Sequence, residues 1–397
     1  MNPYDCIVIG GGASGLVSAS LLAEAGRRVL LLEASGRLGG CVHTWRPAPD
    51  FWLELGAHTA YNSYGPLLEA LARRGRLGEL LTREKMGYQF ADEEGRLQSP
   101  LARLSFLEAA LRVPFGLTRP KAGRTVQEWF GGLLGSGNYQ RLLGPAFAAV
   151  LSQSADNFPA EWLFRPKPRM KAAPRKFTFP GGLQGLLEAL AQDAPFTTRT
   201  GVRVDAVQRE AGGFAVTAAG ERLTARQLVL ATPVDVAAAL LAESYPEAAR
   251  RLHDYPMSTS EALGVVLPAA RTSLRKVAGL IGAEEPFWSV VTRDPVPHAE
   301  YRGFTFHFRP GLLGQEAKLA RIARLLGVTP GDFLHVESAV NRLPAPGVAH
   351  LARMAELDAQ WTGEPVALVG NYLTGLSIGD CAERAAAEVQ RLLSLPH

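Results

Sequence analysis

Gly10, Gly12 and Gly15, followed by Glu33, are the residues whose types and spacing first imply chemistry. The run Asp5-Cys-Ile-Val-Ile-Gly10-Gly-Gly-Ala-Ser-Gly15 ends an apolar stretch in Gly-x-Gly-x-x-Gly. An amphipathic segment through Leu16, Leu21, Leu22 and Ala25 follows, and a second apolar run, Leu30-Leu-Leu-Glu33, closes the unit. Strand, turn, helix and strand in this order bind the ADP half of a dinucleotide. Gly10 permits the turn, Gly12 lets the backbone approach a pyrophosphate, and Gly15 lets helix and strand pack. The helix N-terminus, at Ala13 and Ser14, turns unpaired N–H groups and its positive dipole end to the phosphates. Glu33 stands 18 residues past Gly15, placed to accept hydrogen bonds from the adenosine ribose, with Ala34 beside it.

The next residues specify which dinucleotide. Arg37-Leu-Gly39-Gly40 follows directly, and Leu53-Glu54-Leu-Gly56-Ala57-His58 comes soon after. A nicotinamide-only site has no use for a second glycine pair, whereas a permanently held flavin runs past more backbone; glycines serving only as turns are the alternative. Here the chain resembles the FAD-binding flavin amine oxidase and protoporphyrinogen oxidase superfamily. The resemblance implies that Arg37, Gly39 and Gly40 lie along FAD, that Gly56, Ala57 and His58 pass beside the flavin, and that backbone at Val204 meets the adenine. No Ser-Gly-Gly-Cys attachment motif is present, so FAD is expected to be held non-covalently.

The elements that must position these residues recur along the chain. Thr178 to Leu190 reads as a turn opening a helix, Val202 to Val207 and Phe214 to Thr217 alternate as strands, and Arg226 to Pro233 is a buried strand leading into a helix over Ala237 to Leu241. Val366 to Tyr372 is a third return, followed by a helix to Leu393. The expected fold is α/β: a discontinuous Rossmann-like FAD-binding domain (1–60, 177–244 and 352–397) with a second, α+β substrate domain (61–176 and 245–351). The first substrate stretch reads as helical over Leu67 to Leu77, Leu104 to Leu111, Val126 to Leu134 and Tyr139 to Leu151. In the second, strand-like runs at Ala262 to Leu267 and Gly303 to Phe308 accompany a helix from Glu316 to Leu326.

Gly370-Asn-Tyr-Leu-Thr-Gly-Leu-Ser-Ile-Gly-Asp-Cys381 is similar to the ending of the protoporphyrinogen oxidase branch. Asn341-Arg-Leu-Pro344-Ala-Pro-Gly347-Val348-Ala-His350 and Arg141-Leu-Leu-Gly-Pro145 resemble that branch too. A helix starting at Ser377, Ile378, Gly379 and Asp380 would aim free N–H groups at the flavin edge that gains negative charge on reduction. Asp380 would cap that helix or bond the ribityl chain. No nucleophile elbow, metal motif or diagnostic carboxylate pair is present, and catalytic residues stay unassigned. Flavin oxidases need chiefly a positioned substrate and a dry cavity.

The resemblance thus implies an FAD-dependent oxidase acting on a porphyrinogen-like tetrapyrrole, with hydride passing to flavin N5 and O2 as acceptor. A polyamine-type amine oxidase is the first alternative, and Gly56-Ala57-His58 resembles that branch. Against it, Thr374-Gly375-Leu376 replaces the Ser-Gly-Tyr turn of the aromatic cage, and no lysine follows Lys318. A carotenoid desaturase and a flavin-bound interaction protein without turnover are the others.

Bulk properties bound the rest. The 397 residues exceed one ordinary core. A net charge of +4, with 47% hydrophobic and 20% charged residues, describes a globular chain and excludes nucleic acid as a partner. The basic run Arg165 to Lys176 reads as a solvated connector, or as a contact for anionic lipid or an acidic substrate. Cys6, Cys41 and Cys381 offer no disulfide framework, and no metal-ligand spacing occurs among cysteines or histidines, which fits a cytoplasmic setting. No secretory signal and no membrane-spanning run are expected. Leu101 to Leu117, with Leu104, Phe106, Leu107, Leu111, Val113 and Phe115, reads as core or cavity lining, with peripheral membrane contact as the alternative. Nothing here indicates an oligomeric state.

Overall fold

The computed structural model describes residues 4–92, 94–116 and 119–395. The opening unit forms as expected: strand Tyr4–Ile9, helix Ala13–Glu24 and strand Val29–Glu33. The two strands pair in parallel from Cys6 with Val29 to Ile9 with Leu32, so the glycine turn and Glu33 emerge at the same end. Their side chains are buried on both faces. Cys6, Val8 and Leu31 pack under the helix Ala13–Glu24, while Ile7, Ile9, Leu30 and Leu32 pack against Val234–Leu241 and Val348–Trp361. Burial on both sides is why these strands read as unbroken apolar runs.

The sheet they found runs in the order Thr197–Thr200, Val29–Glu33, Tyr4–Ile9, Glu221–Leu230, Gly213–Ala218, Val204–Glu210, with Val366–Leu368 also paired to Glu221–Leu230. Glu221–Leu230 serves two ladders. Its first half is antiparallel to Gly213–Ala218, and its second half is parallel to Tyr4–Ile9 and Val366–Leu368. The C-terminal helix is Ile378–Ser394.

A second sheet runs in the order His335–Pro344, Met257–Pro268, Tyr301–Phe308, Phe287–Thr292, Gly279–Gly282, Tyr88–Ala91, Leu97–Gln98. Period-two alternation divides its faces. Phe304, Phe306 and Phe308 are fully buried towards the helix Gln315–Leu326, each contributing about 1.5–3 kcal/mol. Gly303, Thr305 and His307 alternate with them. A Cβ at Gly303 would lie 2.5 Å from Leu53 Cδ2, and one at Gly264 would lie 2.9 Å from Leu55 Cδ2. Two absent side chains thus let the hairpin Thr44–Ala48 and Phe51–Glu54 lie directly on the second sheet. That hairpin carries the Glu54-Leu-Gly56 segment.

Two expectations change, and one strand had no assignment from the sequence. The apolar segment from Leu101 is not core: Leu101, Phe106, Leu107 and Leu111 are 64–73% exposed, along the helix Phe106–Gly116; Leu117 lies outside the described residues. Tyr139 to Leu151 is not one α-helix. Tyr139–Leu143 is a π-turn before Gly144–Leu151, because Pro145 has no N–H to close the bond to the Arg141 carbonyl. Asn341 to Pro344 ends an edge strand, His335–Pro344, whose polar exposed side chains concealed it from a reading by apolar alternation. No helix among the described residues is long and apolar enough to cross a membrane.

Candidate functional site

The glycines of the first turn answer to different constraints. Gly10 has φ +109°, and a Cβ there would lie 2.5 Å from the Ala231 carbonyl oxygen. At Gly15 it would lie 1.9 Å from the Gly10 carbonyl oxygen, so helix and turn meet backbone to backbone. Gly12 differs, since the nearest atom to its Cβ position is 3.9 Å away. Nothing in the chain requires glycine at Gly12; the open space above it suits a group from outside the chain.

Gly39 and Gly40 lie across this turn. Gly39 N–H donates to the Gly11 carbonyl at 2.8 Å, and Gly12 and Gly39 form a parallel bridge. Arg37 holds the crossing by donating to the carbonyls of Gly40 at 3.0 Å and Val42 at 3.3 Å. Gly56 lies on the same loop, where a Cβ would be 2.1 Å from the Cys41 carbonyl oxygen, and Leu55 N–H donates to the His43 carbonyl at 2.8 Å. Asn341, from the second sheet, donates to the Leu55 carbonyl at 2.7 Å. The residues singled out in three sequence segments therefore form one continuous surface. Ala34 follows Glu33 at the end of its strand, and Val204, buried, opens Val204–Glu210 two residues past Val202, whose N–H donates to the Glu33 carbonyl.

Glu33 already has partners in the chain. One carboxylate oxygen accepts Gly11 N–H at 2.6 Å, and the other accepts Ser35 N–H and Oγ, both at 2.8 Å. It shapes the turn as well as facing outward from it. Asp380 takes the first of its two expected roles, closing the cap of the helix. One of its oxygens accepts Ser377 N–H and Oγ, the other Arg165 and Lys167, each at 2.7 Å. With the carboxylate saturated by cap and cations, no lone pair is directed at a ribityl chain. Arg165 also donates to the Thr374 carbonyl, so this end of the basic run is fastened to the C-terminal helix and is not free for lipid or substrate.

The C-terminal helix fits a flavin through its backbone. Ser377 Oγ accepts Asp380 N–H, and the N–H groups of Ile378 and Gly379 carry no hydrogen bond among the described residues. Its Cys381 meets Ser14 at the start of the first helix, so the two helix N-termini converge. Gly370 (φ +150°) ends the strand leading there. The buried hydroxyls of Thr232, next to Gly10, and Thr374 also lack partners. Open space at Gly12, two free N–H groups and two orphaned hydroxyls are what a bound dinucleotide would fill and satisfy.

Above Gly56–His58 stand residues the sequence did not single out. His58 and His307 face each other with ring centroids 6.2 Å apart, and Ser289 Oγ lies 3.1 Å from His307 Nδ1. Burial pulls the His58 pKa down to about 3, aided by His307 and Arg83, and burial pulls His307 to about 4. Both imidazoles are neutral. Glu54 is buried, accepts Thr44 Oγ1 at 2.6 Å and Leu183 N–H at 2.8 Å, and burial lifts its pKa to about 7 against those bonds and the nearby Arg83 and Arg293. Only folding brings His58 to His307 and Arg83, and Arg293 to Arg83 and Glu54, and no local spacing signals it. Among the described residues no cluster suited to a metal ion occurs.

The sequence model of the family described as flavin containing amine oxidoreductase matches residues 13–265. The L-amino-acid oxidase of Mus musculus is 45% identical over 57 residues, 14% of this chain and 9% of that protein. The chain spans 16% or less of the length of the first curated relatives it matches. Among solved structures, a candidate protoporphyrinogen oxidase from Exiguobacterium sp. 255-15 superposes with TM-score 0.77 at 18% identity, over 98% of each chain. Putrescine oxidase bound to putrescine gives 0.71 at 17% identity, over 98% of this chain and 99% of that one. At these identities the structures share the fold. The family match runs from the helix at Ala13 into the second sheet at Val265, across both halves of the site, and on it the chain belongs to the flavin containing amine oxidoreductase family.

Proposed function

We propose that the chain is an oxidase of a large, flat, conjugation-prone substrate, a porphyrinogen tetrapyrrole first among them, with FAD held non-covalently. The observation that carries the reading is the neutral pair His58 and His307 beside Gly56. Bound FAD would accept a hydride from the substrate and pass its electrons to O2. A substrate driven by gain of conjugation needs no strong base, and the neutral imidazoles of half-buried His58 and buried His307 supply none. Glu54, already bonded to Thr44 and Leu183, offers no free carboxylate for an ammonium group. The role of this chain is to orient the substrate and exclude water. The similarity to putrescine oxidase leaves an amine oxidase as the competing reading.

Stopped-flow flavin reduction tests it, using protoporphyrinogen, coproporphyrinogen, several polyamines and one monoamine. Rapid anaerobic bleaching by a porphyrinogen is expected. Bleaching by an amine and by neither tetrapyrrole overturns it. Acid precipitation should release FAD to the supernatant; flavin left in the pellet overturns non-covalent binding. The exposed face of Leu101, Phe106, Leu107 and Leu111 supports peripheral contact with a membrane.

A further inference from the structure

Arg83, next to His58, and Arg293, next to Arg83 and Glu54, lack the partners that buried cations require. Arg293 is 9% exposed, and its Nε and Nη1 are fully buried with no hydrogen-bond partner. Its guanidinium lies 3.8 Å from the centroid of Trp52, a contact worth about 0.5–2 kcal/mol. Leaving a buried charged donor unsatisfied costs more than that. Arg83 is half-buried and makes no side-chain hydrogen bond or ion pair among the described residues.

Backbone bonds fix both residues. Arg83 N–H donates to the Lys176 carbonyl at 3.1 Å, and Glu84 N–H donates to the Pro295 carbonyl at 2.7 Å, which joins the loop after Arg83 to the loop after Arg293. Arg293 N–H donates to the Gly303 carbonyl at 3.0 Å. The two cations act on each other and on Glu54, and Arg83 also acts on His58, Tyr61 and Tyr88. Burial lowers both arginine pKa values, that of Arg293 to about 10, and both remain cationic at neutral pH. The acid among them, Glu54, is committed to Thr44 and Leu183.

We propose that Arg83, beside His58, and Arg293, beside Glu54, together form a carboxylate-recognising subsite, so that the substrate of this enzyme is an anion carrying at least one carboxylate. The planar guanidinium fork matches a carboxylate, and a dry setting strengthens the bond. A polyammonium substrate would meet two cations with no free counter-charge. The inference deepens the tetrapyrrole reading, which supplies propionates as the carboxylates, but the presence of an anion rests on the arginines alone.

The test titrates the FAD-loaded protein with benzoate, benzamide and benzylammonium, following flavin absorbance and binding heat. Benzoate should bind at least tenfold tighter than the isosteric neutral benzamide, and benzylammonium weakest. Arg83→Gln and Arg293→Gln should each weaken benzoate at least tenfold and leave benzamide unchanged, with Arg83→Lys intermediate. Equal or absent binding of benzoate and benzamide in the unmodified protein overturns the subsite without recourse to any variant, as does unmoved benzoate affinity in both glutamine variants. The two readings fail separately. Arginine-dependent benzoate binding without tetrapyrrole turnover removes the tetrapyrrole and keeps the subsite. Turnover of a porphyrinogen with unchanged KM in both variants does the reverse.

Discussion

Around Glu33 the chain closes a turn with its own hydrogen bonds, and around Arg83 it leaves cationic donors without partners among the described residues. The turn at Gly10–Gly15 is closed by Glu33 on Gly11 and Ser35, by Gly39 on Gly11 and by Arg37 on Gly40 and Val42. On the far side of Glu54, Arg293 Nε and Nη1 are buried with no hydrogen-bond partner among the described residues, the Arg83 guanidinium has no hydrogen bond or ion pair there either, and two histidines are held neutral. The first region is preformed by local contacts and receives a cofactor shared by the whole family. The second is assembled by long-range packing and keeps polar capacity in reserve for a ligand. Binding specificity should therefore respond to change in the second region, and stability together with FAD retention to change in the first.

The largest effect should follow Glu33→Ala. The substitution releases Gly11 N–H, Ser35 N–H and Ser35 Oγ as well as any bond to the ribose. Bonds to a charged acceptor contribute about 1.5–3 kcal/mol each, and loss of the set should cost roughly 3 kcal/mol, shared between fold and cofactor. Flavin titration should show FAD affinity falling about tenfold, with a lower Tm of the apoprotein. A variant that loses FAD affinity with an unchanged apoprotein Tm would show the turn to be less self-supporting than its hydrogen bonds indicate.

The contrast also explains what was legible in the sequence. Gly10, Gly12, Gly15 and Glu33 fall within one βαβ unit, where spacing alone places each on the turn. Arg37, Gly39, Gly40 and Gly56 were legible through the two motifs that carry the family resemblance, which the hairpin Thr44–Ala48 and Phe51–Glu54 brings onto one turn. The helix start at Ser377 and the capping role of Asp380 were legible; the hold of Arg165 and Lys167 on its second carboxylate oxygen was not, because they lie more than two hundred residues away in the chain. Arg83, Arg293 and His307 carried no signal at all. Each is an isolated polar residue in or beside a short strand, and their proximity depends on strand order in the second sheet, with Phe287–Thr292 between Tyr301–Phe308 and Gly279–Gly282.

A middling effect is expected from pH. His307 is neutral in the fold with a pKa near 4, while in the unfolded chain it titrates near 6.5. As pH falls below 6.5 the unfolded chain gains a proton that the fold refuses, so stability is present above 6.5 and is lost on acidification until pH reaches about 4. At pH 5 the loss from this site should be about 2 kcal/mol. Urea unfolding at pH 7.5 and 5.0 should show the unmodified protein losing that much more than His307→Gln. Equal losses would mean that His307 takes up a proton in the fold and that the neutral pair is an incorrect description.

The smallest effect on stability should come from Leu107→Ser. In a core helix such a change removes buried apolar surface and leaves a cavity, at a cost of 2–5 kcal/mol for comparable truncations. Leu107 is 73% exposed, and its neighbours Phe106 and Leu111 are equally uncovered, so the expected change in unfolding free energy lies within about 0.5 kcal/mol. The same side chain should matter to vesicle binding, because contiguous exposed apolar residues favour transfer from water to an acyl boundary by roughly 25 cal/mol per Å² removed. Co-sedimentation with phosphatidylglycerol vesicles should drop severalfold in Leu107→Ser while FAD content stays constant. A destabilisation above 2 kcal/mol would place Leu107 in a core after all. Unchanged sedimentation with unchanged stability would leave the exposed face without a membrane role and confine the functional part of the second region to Arg83, Arg293 and the two histidines.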